Sequence, residues 1–207
     1  NAWALRDGFD AILELPESEP TVYTVRDAGA HPPSETLAMV TIESELQAGA
    51  FRTMNDGVMG GVSDGHVRFS DKDGGGMLFS GIVRTENNGG FASCRLQAEF
   101  PDLSSFTGLY VDCRCNDGDK VFQMVTKDEE ALMTRVNFKA PFRAPASTAV
   151  ARVLIPFSAF DRPERMGRGV ARGPLDAATV REVGFMVLKP SVGAFELQVR
   201  ELGVYKL

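Results

Sequence analysis

Between Phe51 and Ser93 the chain reads FRTMNDGVMGGVSDGHVRFSDKDGGGMLFSGIVRTENNGGFAS, and two glycine-rich loops of similar chemistry bracket a pair of apolar, β-prone runs. The first loop is Asn55-Asp56-Gly57-Val58-Met59-Gly60-Gly61-Val62-Ser63; the second is Glu86-Asn87-Asn88-Gly89-Gly90-Phe91. Glycine tolerates positive φ and lets a second backbone come close, while Asn and Asp side chains bond nearby amides. Nothing in either loop reads as a nucleophile or a general base. The expected role is therefore shape. Asn55, Asp56, Asn87 and Asn88 fix turns, Gly60, Gly61, Gly89 and Gly90 permit close approach, and Gly57, Met59 and Phe91 complete the candidate contact set. On this reading Gly60→Ala destabilises, whereas Asp56→Asn keeps size and one acceptor and costs no more than about 1 kcal/mol.

The rest of the chain continues in short runs broken by Gly, Pro, Asn and Asp. Strands are predicted at 66–70, 77–83, 91–100, 107–114, 120–126, 132–138, 149–155, 183–188 and 194–205, and helix only in the N-terminal arm and at 176–181. Such spacing predicts a single antiparallel β-sandwich or jelly roll, all-β, with no βαβ unit. At 207 residues and 43% hydrophobic content the chain suits one core. We divide it into an arm, 1–47, and a sandwich, 48–207. In the arm, Leu5, Phe9, Ile12 and Leu13 fall on one helical stripe. That helix either folds back on its own domain or docks a partner through Trp3 and Phe9. Pro16 to Pro20 reads as a tether, and the β-prone runs 21–25 and 37–42 add edge strands.

A net charge of −6 and a pI near 5.0 argue against a general nucleic-acid binder. No apolar run approaches the roughly 18 residues that span a bilayer, so the chain reads as soluble or peripheral. It starts at Asn1 without a basic or apolar leader, as an imported and processed protein would. From Arg135 to Arg172 the balance reverses, with eight Lys or Arg against Asp161 and Glu164. Arg162, Arg165, Arg168 and Arg172 lie in its tightest part. They form either a solvated face or a docking surface for an acidic protein or anionic lipid headgroups.

Enzyme constellations fail one by one. His31 lacks triad partners, and Asp71-Lys72-Asp73-Gly74 begins like a calcium loop whose twelfth position is Ile82. Cys94, Cys113 and Cys115 read as buried hydrophobes, and neither His31 nor His66 stands at zinc-ligand spacing. Cys113 and Cys115 face the same side of one strand, so they do not pair with each other. No cofactor and no metal are expected.

Asn-Asp-Gly-Val-Met-Gly-Gly-Val-Ser, then Phe79-Ser80-Gly81 ahead of Asn87-Asn88-Gly89-Gly90-Phe91-Ala92-Ser93, resembles the signature of the complex I intermediate-associated protein 30 family. The resemblance extends through Asn116 to Met124, Thr134 to Phe138, Val153 to Phe160 and Gly193 to Leu197. The family carries Trp where this chain has Phe51, and again before Ile155-Pro156-Phe157, where residues 147–152 hold no aromatic. The resemblance implies a galactose-binding-like jelly roll and a non-enzymatic protein-binding module. Its implied role is assembly factor or accessory subunit of an organellar membrane complex, complex I or a photosystem, in a plastid or a mitochondrion, with the plastid slightly favoured. The alternative that the same fold invites is a carbohydrate-binding module, which would want aromatic platforms this chain is short of.

Overall fold

The computed structural model describes residues 19–25 and 32–207. The expected arm helix, with Trp3 and Phe9, and the loop holding His31 lie outside the described residues. In chain order the strands are β1 (Glu35–Thr41), β2 (Arg52–Asn55), β3 (Asp64–Ser70), β4 (Gly76–Val83), β5 (Phe91–Gln97), β6 (Gly108–Cys115), β7 (Phe122–Asp128), β8 (Phe138–Phe142), β9 (Ala151–Pro156), β10 (Glu164–Arg165), β11 (Arg168–Gly169), β12 (Val180–Leu188) and β13 (Gly193–Lys206). Two short helices, α1 (Glu45–Gly49) and α2 (Glu129–Thr134), punctuate them.

One sheet runs β3-β4-β13-β6-β9, with β1 paired to the far half of β13; the other runs β2-β5-β12-β7-β8. Every strand pair within both sheets is antiparallel. Alternation makes the sandwich. Leu109, Val111, Cys113 and Cys115 of β6 are buried in the same core as Cys94, Met124, Phe122, Phe185 and Phe142 of the opposite sheet. In β13 a register shift between Val199 and Glu201 inserts Arg200, so that Leu197, Val199, Leu202 and Val204 all reach that core. β1 lies inside the region assigned to the arm, and its ladder with β13 makes it part of the sandwich.

Four elements differ from expectation. The stretch predicted as a strand at 132–138 is α2 followed by the start of β8. Asp128 caps that helix, its Oδ1 accepting the Ala131 amide at 2.8 Å, and Arg135 ends it in the left-handed region with φ 60°. The cap and the acidic first turn outweigh a β-prone composition. At 176–181 the predicted helix shrinks to one 3₁₀ turn, Ala177–Thr179, because Val180, Val183 and Phe185 are drawn into the core as β12. β5 stops at Gln97, short of Phe100. The arginine-rich segment, read as a loop, contains the β10–β11 hairpin.

All three cysteines are free thiols and buried. Cys94 and Cys113 face each other's sheet within one apolar core, and burial pushes the Cys94 thiol up to about 12.

Candidate docking site: two loops tied to one carboxylate

Both glycine-rich loops cross between the sheets: the first carries the chain from β2 to β3 and the second from β4 to β5. One residue ties them. Asp56 opens a 3₁₀ turn, is 1% exposed, and turns its carboxylate onto three backbone amides. Its Oδ1 accepts the Ser63 amide at 2.9 Å, and its Oδ2 accepts the amides of Gly90 at 2.6 Å and Phe91 at 3.3 Å. Charge-assisted bonds to backbone N–H are about twice as strong as neutral ones. Burial pushes the Asp56 carboxyl up, but the Ser63 side chain and the amides of Gly90, Ser63 and Phe91 more than offset it and hold the group below the ordinary carboxylate value.

Ser63 fastens the first loop to the end of β4. Its hydroxyl donates to the Arg84 carbonyl at 3.0 Å and accepts the Arg84 amide at 2.9 Å, while the Arg84 guanidinium donates to the Val62 carbonyl at 3.2 Å. The glycines divide into two kinds. Gly60, at φ 84°, ends the turn in open space and needs only conformational freedom. Gly61 and Gly89 flank the carboxylate: a Cβ on Gly89 would stand 2.5 Å from Asp56 Oδ2, and one on Gly61 would overlap Asp56 Cγ. Gly89 has φ −68°, so close approach and not backbone freedom is what it supplies.

Asn55 donates from Nδ2 to the Gly65 carbonyl at 3.0 Å and so holds β2 to β3. Asn87 is exposed in the left-handed region at φ 56°, and Phe91 is half-buried at the start of β5. The side chains of Met59 and Asn88 lie outside the described residues. Gly57, Gly60, Val62, Arg84, Glu86 and Asn87 are exposed, so they form the outward surface of a pair of preformed loops. Val62 and Arg84 were not singled out from the sequence; the reciprocal Ser63–Arg84 bonds that place them join residues 21 apart, and no local motif announces them.

The four candidate arginines separate. Arg172 turns inward: Nη2 lies 2.6 Å from Asp128 Oδ1 and 3.1 Å from Glu130 Oε2, and the guanidinium covers the Phe138 ring at 4.9 Å. It serves the core and is a correction to its placement among docking residues. Arg162 lies 3.8 Å from Asp161, while Arg165 and Arg168 are exposed on the β10–β11 hairpin.

Elsewhere, Arg152 of β9 grips Asp112 through Nε and Nη2 at 2.7 and 2.8 Å, reaches Glu201 at 3.3 Å, and stacks 3.7 Å above the Tyr110 ring. These groups satisfy one another. Among the described residues no group of three or more His, Cys, Asp or Glu is disposed to hold a metal ion, and no helix is long and apolar enough to cross a membrane.

The family profile for complex I intermediate-associated protein 30 matches residues 40–199, which contain both loops and Asp56. This chain belongs to that family. No curated protein sequence matches it significantly. Among solved structures, the family 11 carbohydrate-binding module of the cellulosomal cellulase Lic26A-Cel5E of Clostridium thermocellum superposes with a TM-score of 0.61 at 16% identity, over 84% of this chain and 96% of that one. The family 11 module from C. thermocellum in complex with a β-1,3-1,4-mixed-linked tetrasaccharide gives 0.57 at 16% identity, over 81% and 96%. A β-1,2-glucanase from Parabacteroides distasonis gives 0.52 at 7% identity, over 85% of this chain and 26% of that one. This chain thus has a jelly-roll fold like that of the family 11 modules, and these likenesses carry the fold alone.

Proposed function

We propose that this protein is a non-enzymatic protein-binding module that assists the assembly of an organellar membrane complex, or remains with it as an accessory subunit. The observation that carries the reading is the family match over a region in which one buried carboxylate preorganises two loops. Rigid loops bind with little ordering cost, which is how a small outward surface sustains affinity. Asp56 supports a structural over a chemical role, since its two oxygens are occupied by three amides and face no solvent. The client class is a respiratory complex I intermediate, with a photosystem as the plastid counterpart, and the module sits in the matching organelle as a peripheral component.

The test is affinity purification of the tagged chain from detergent-solubilised organelle membranes, with co-purifying subunits identified by mass spectrometry. Recovery of subunits of one such complex supports the reading; a clean bait from every membrane fraction refutes it.

Carbohydrate binding is the second reading, favoured by the likeness to family 11 modules. Against it, the outward row of the β2-β5-β12-β7-β8 sheet bears Met54, Met186, Leu188 and Gln123, and among the described residues on that face the one aromatic is Phe91. Tyr110 and Tyr205 are 1% and 3% exposed, so neither offers a platform. Isothermal titration with mixed-linked glucan oligosaccharides should give no heat of binding.

A further inference from the structure

β12 carries a glycine at its centre. Val183, Phe185 and Val187 enter the core, so Glu182, Gly184 and Met186 line the outward face of the β2-β5-β12-β7-β8 sheet. Glycine inside a strand weakens it and marks a close approach. Here a Cβ would overlap the Cys94 carbonyl oxygen and stand 2.9 Å from Arg95 Cδ, so the missing side chain lets Arg95 lie across the middle of the face. Arg95 is 7% exposed, yet among the described residues its Nη1 has no hydrogen-bond partner. The acid beside it is already engaged. Glu182 holds the Lys127 ammonium at 3.0 Å and accepts the Gln97 amide at 2.9 Å, which leaves Arg95 Nε a contact of 3.9 Å, beyond hydrogen-bond range. Glu164, which also acts on Arg95, is paired with Lys139 at 2.6 Å. Burial pushes the Arg95 guanidinium below its ordinary value, and Glu182 offsets that only in part.

Arg52 adds a second cation. It stands directly opposite Arg95 in the β2–β5 ladder, so the two side chains share the face, and like charges so placed repel. Arg52 is exposed, and among the described residues no acid pairs with it. Two guanidinium groups on neighbouring strands are therefore left without an acceptor, on a chain whose net charge is −6. The adjacent row of the same face runs Met54, Ser93, Met186, and Met54 is 52% exposed. Methionines adapt to irregular apolar groups such as peptide side chains.

We propose that this face binds an acidic protein segment, with Arg95 and Arg52 each taking a carboxylate while Met54 and Met186 cover its apolar groups. The assignment rests on the protein-binding reading above and names the chemistry of the partner. Guanidinium matches carboxylate in a planar, bidentate geometry. A buried cation without an acceptor costs the free protein stability, and a ligand that supplies the acceptor restores it. The acidic remainder of the molecule repels such a segment, so charge directs it to this face.

The test is fluorescence polarisation of a labelled hexaglutamate peptide with the purified full chain at low ionic strength, with hexaglutamine as the uncharged control and oligogalacturonate as an acidic sugar. The parent should bind hexaglutamate, ignore hexaglutamine, and release the peptide as salt rises. Arg52→Gln should weaken binding about fivefold, and Arg95→Met about tenfold or more. Arg95→Met should also melt at or above the parent, because it removes a buried cation that lacks an acceptor and faces another cation. A purely structural Arg95 would instead make that variant melt well below the parent and leave Arg52→Gln binding like it, which would overturn the proposal. No binding of hexaglutamate by the parent would do the same, and tighter binding of oligogalacturonate would reassign the face to acidic sugars. Full client capture by both variants would remove this site and leave the assembly reading intact. A parent that binds hexaglutamate but captures no membrane complex would refute the assembly reading and support the acidic-peptide site.

Discussion

Asp56→Asn puts the central clamp to a quantitative test. The substitution keeps the volume but turns one carboxylate oxygen into an NH₂ that faces backbone donors. If the NH₂ is placed toward Gly90 and Phe91, two bonds are lost, at 2.6 and 3.3 Å; if toward Ser63, one is lost, at 2.9 Å. The amide will take the second orientation. A charge-assisted bond contributes about 1.5–3 kcal/mol, and leaving the buried Ser63 amide unmatched adds to its loss. The remaining two bonds weaken as well, because their acceptor is now neutral. We expect about 3 kcal/mol of destabilisation, a fall in Tm of roughly 6–12 °C for a domain of this size. This replaces the mild effect expected from the sequence, which reckoned with one acceptor where the fold uses both.

The pH dependence follows from the direction of the Asp56 shift. A carboxyl that titrates lower folded than unfolded contributes its full stability above the unfolded value, about pH 4, and loses it as pH falls through the folded value. Parent and variant should therefore differ at pH 7, and the difference should shrink as pH falls below about 4. Calorimetry at a series of pH values measures both. A variant within about 1 kcal/mol of the parent at neutral pH, or a difference that persists undiminished in acid, would refute the clamp.

The glycines should separate by mechanism. Gly60→Ala should cost about 1 kcal/mol of left-handed strain, whereas Gly61→Ala and Gly89→Ala, which displace the Asp56 carboxylate, should each cost about 3 kcal/mol or more in denaturant titrations. Arg172→Ala strands the buried Asp128 carboxylate and should cost about 3–5 kcal/mol while leaving client capture by the folded fraction unchanged; loss of capture at parental stability would return Arg172 to the docking surface. Cys94, Cys113 and Cys115 are all buried, so at pH 8 none should react with a disulfide reagent until the protein is unfolded, and rapid labelling of the native state would contradict the packing.

Much of the architecture was legible because it is written in local signals. Apolar runs at strand spacing, with turn residues between them, lead to β3, β4, β6, β7, β9 and β13 close to their observed limits, and the Asn-Asp-Gly and Asn-Asn-Gly-Gly stretches mark the two crossings between sheets. Residue identity alone also supports the family assignment. What tertiary structure decided is which polar group meets which. Asp56 binds amides 34 and 35 residues away, Ser63 locks to Arg84, and Arg172 closes on Asp128 across 44 residues. None of these has a periodicity to read. Burial chose the partners: a carboxylate that loses water must find several donors, and only the folded backbone brings three amides to one place. For the same reason the arginine-rich segment could not be divided in advance. Its charges are alike in sequence, and the sandwich turned Arg172 into a core ligand of Asp128 while it left Arg165 and Arg168 at a solvent-facing tip.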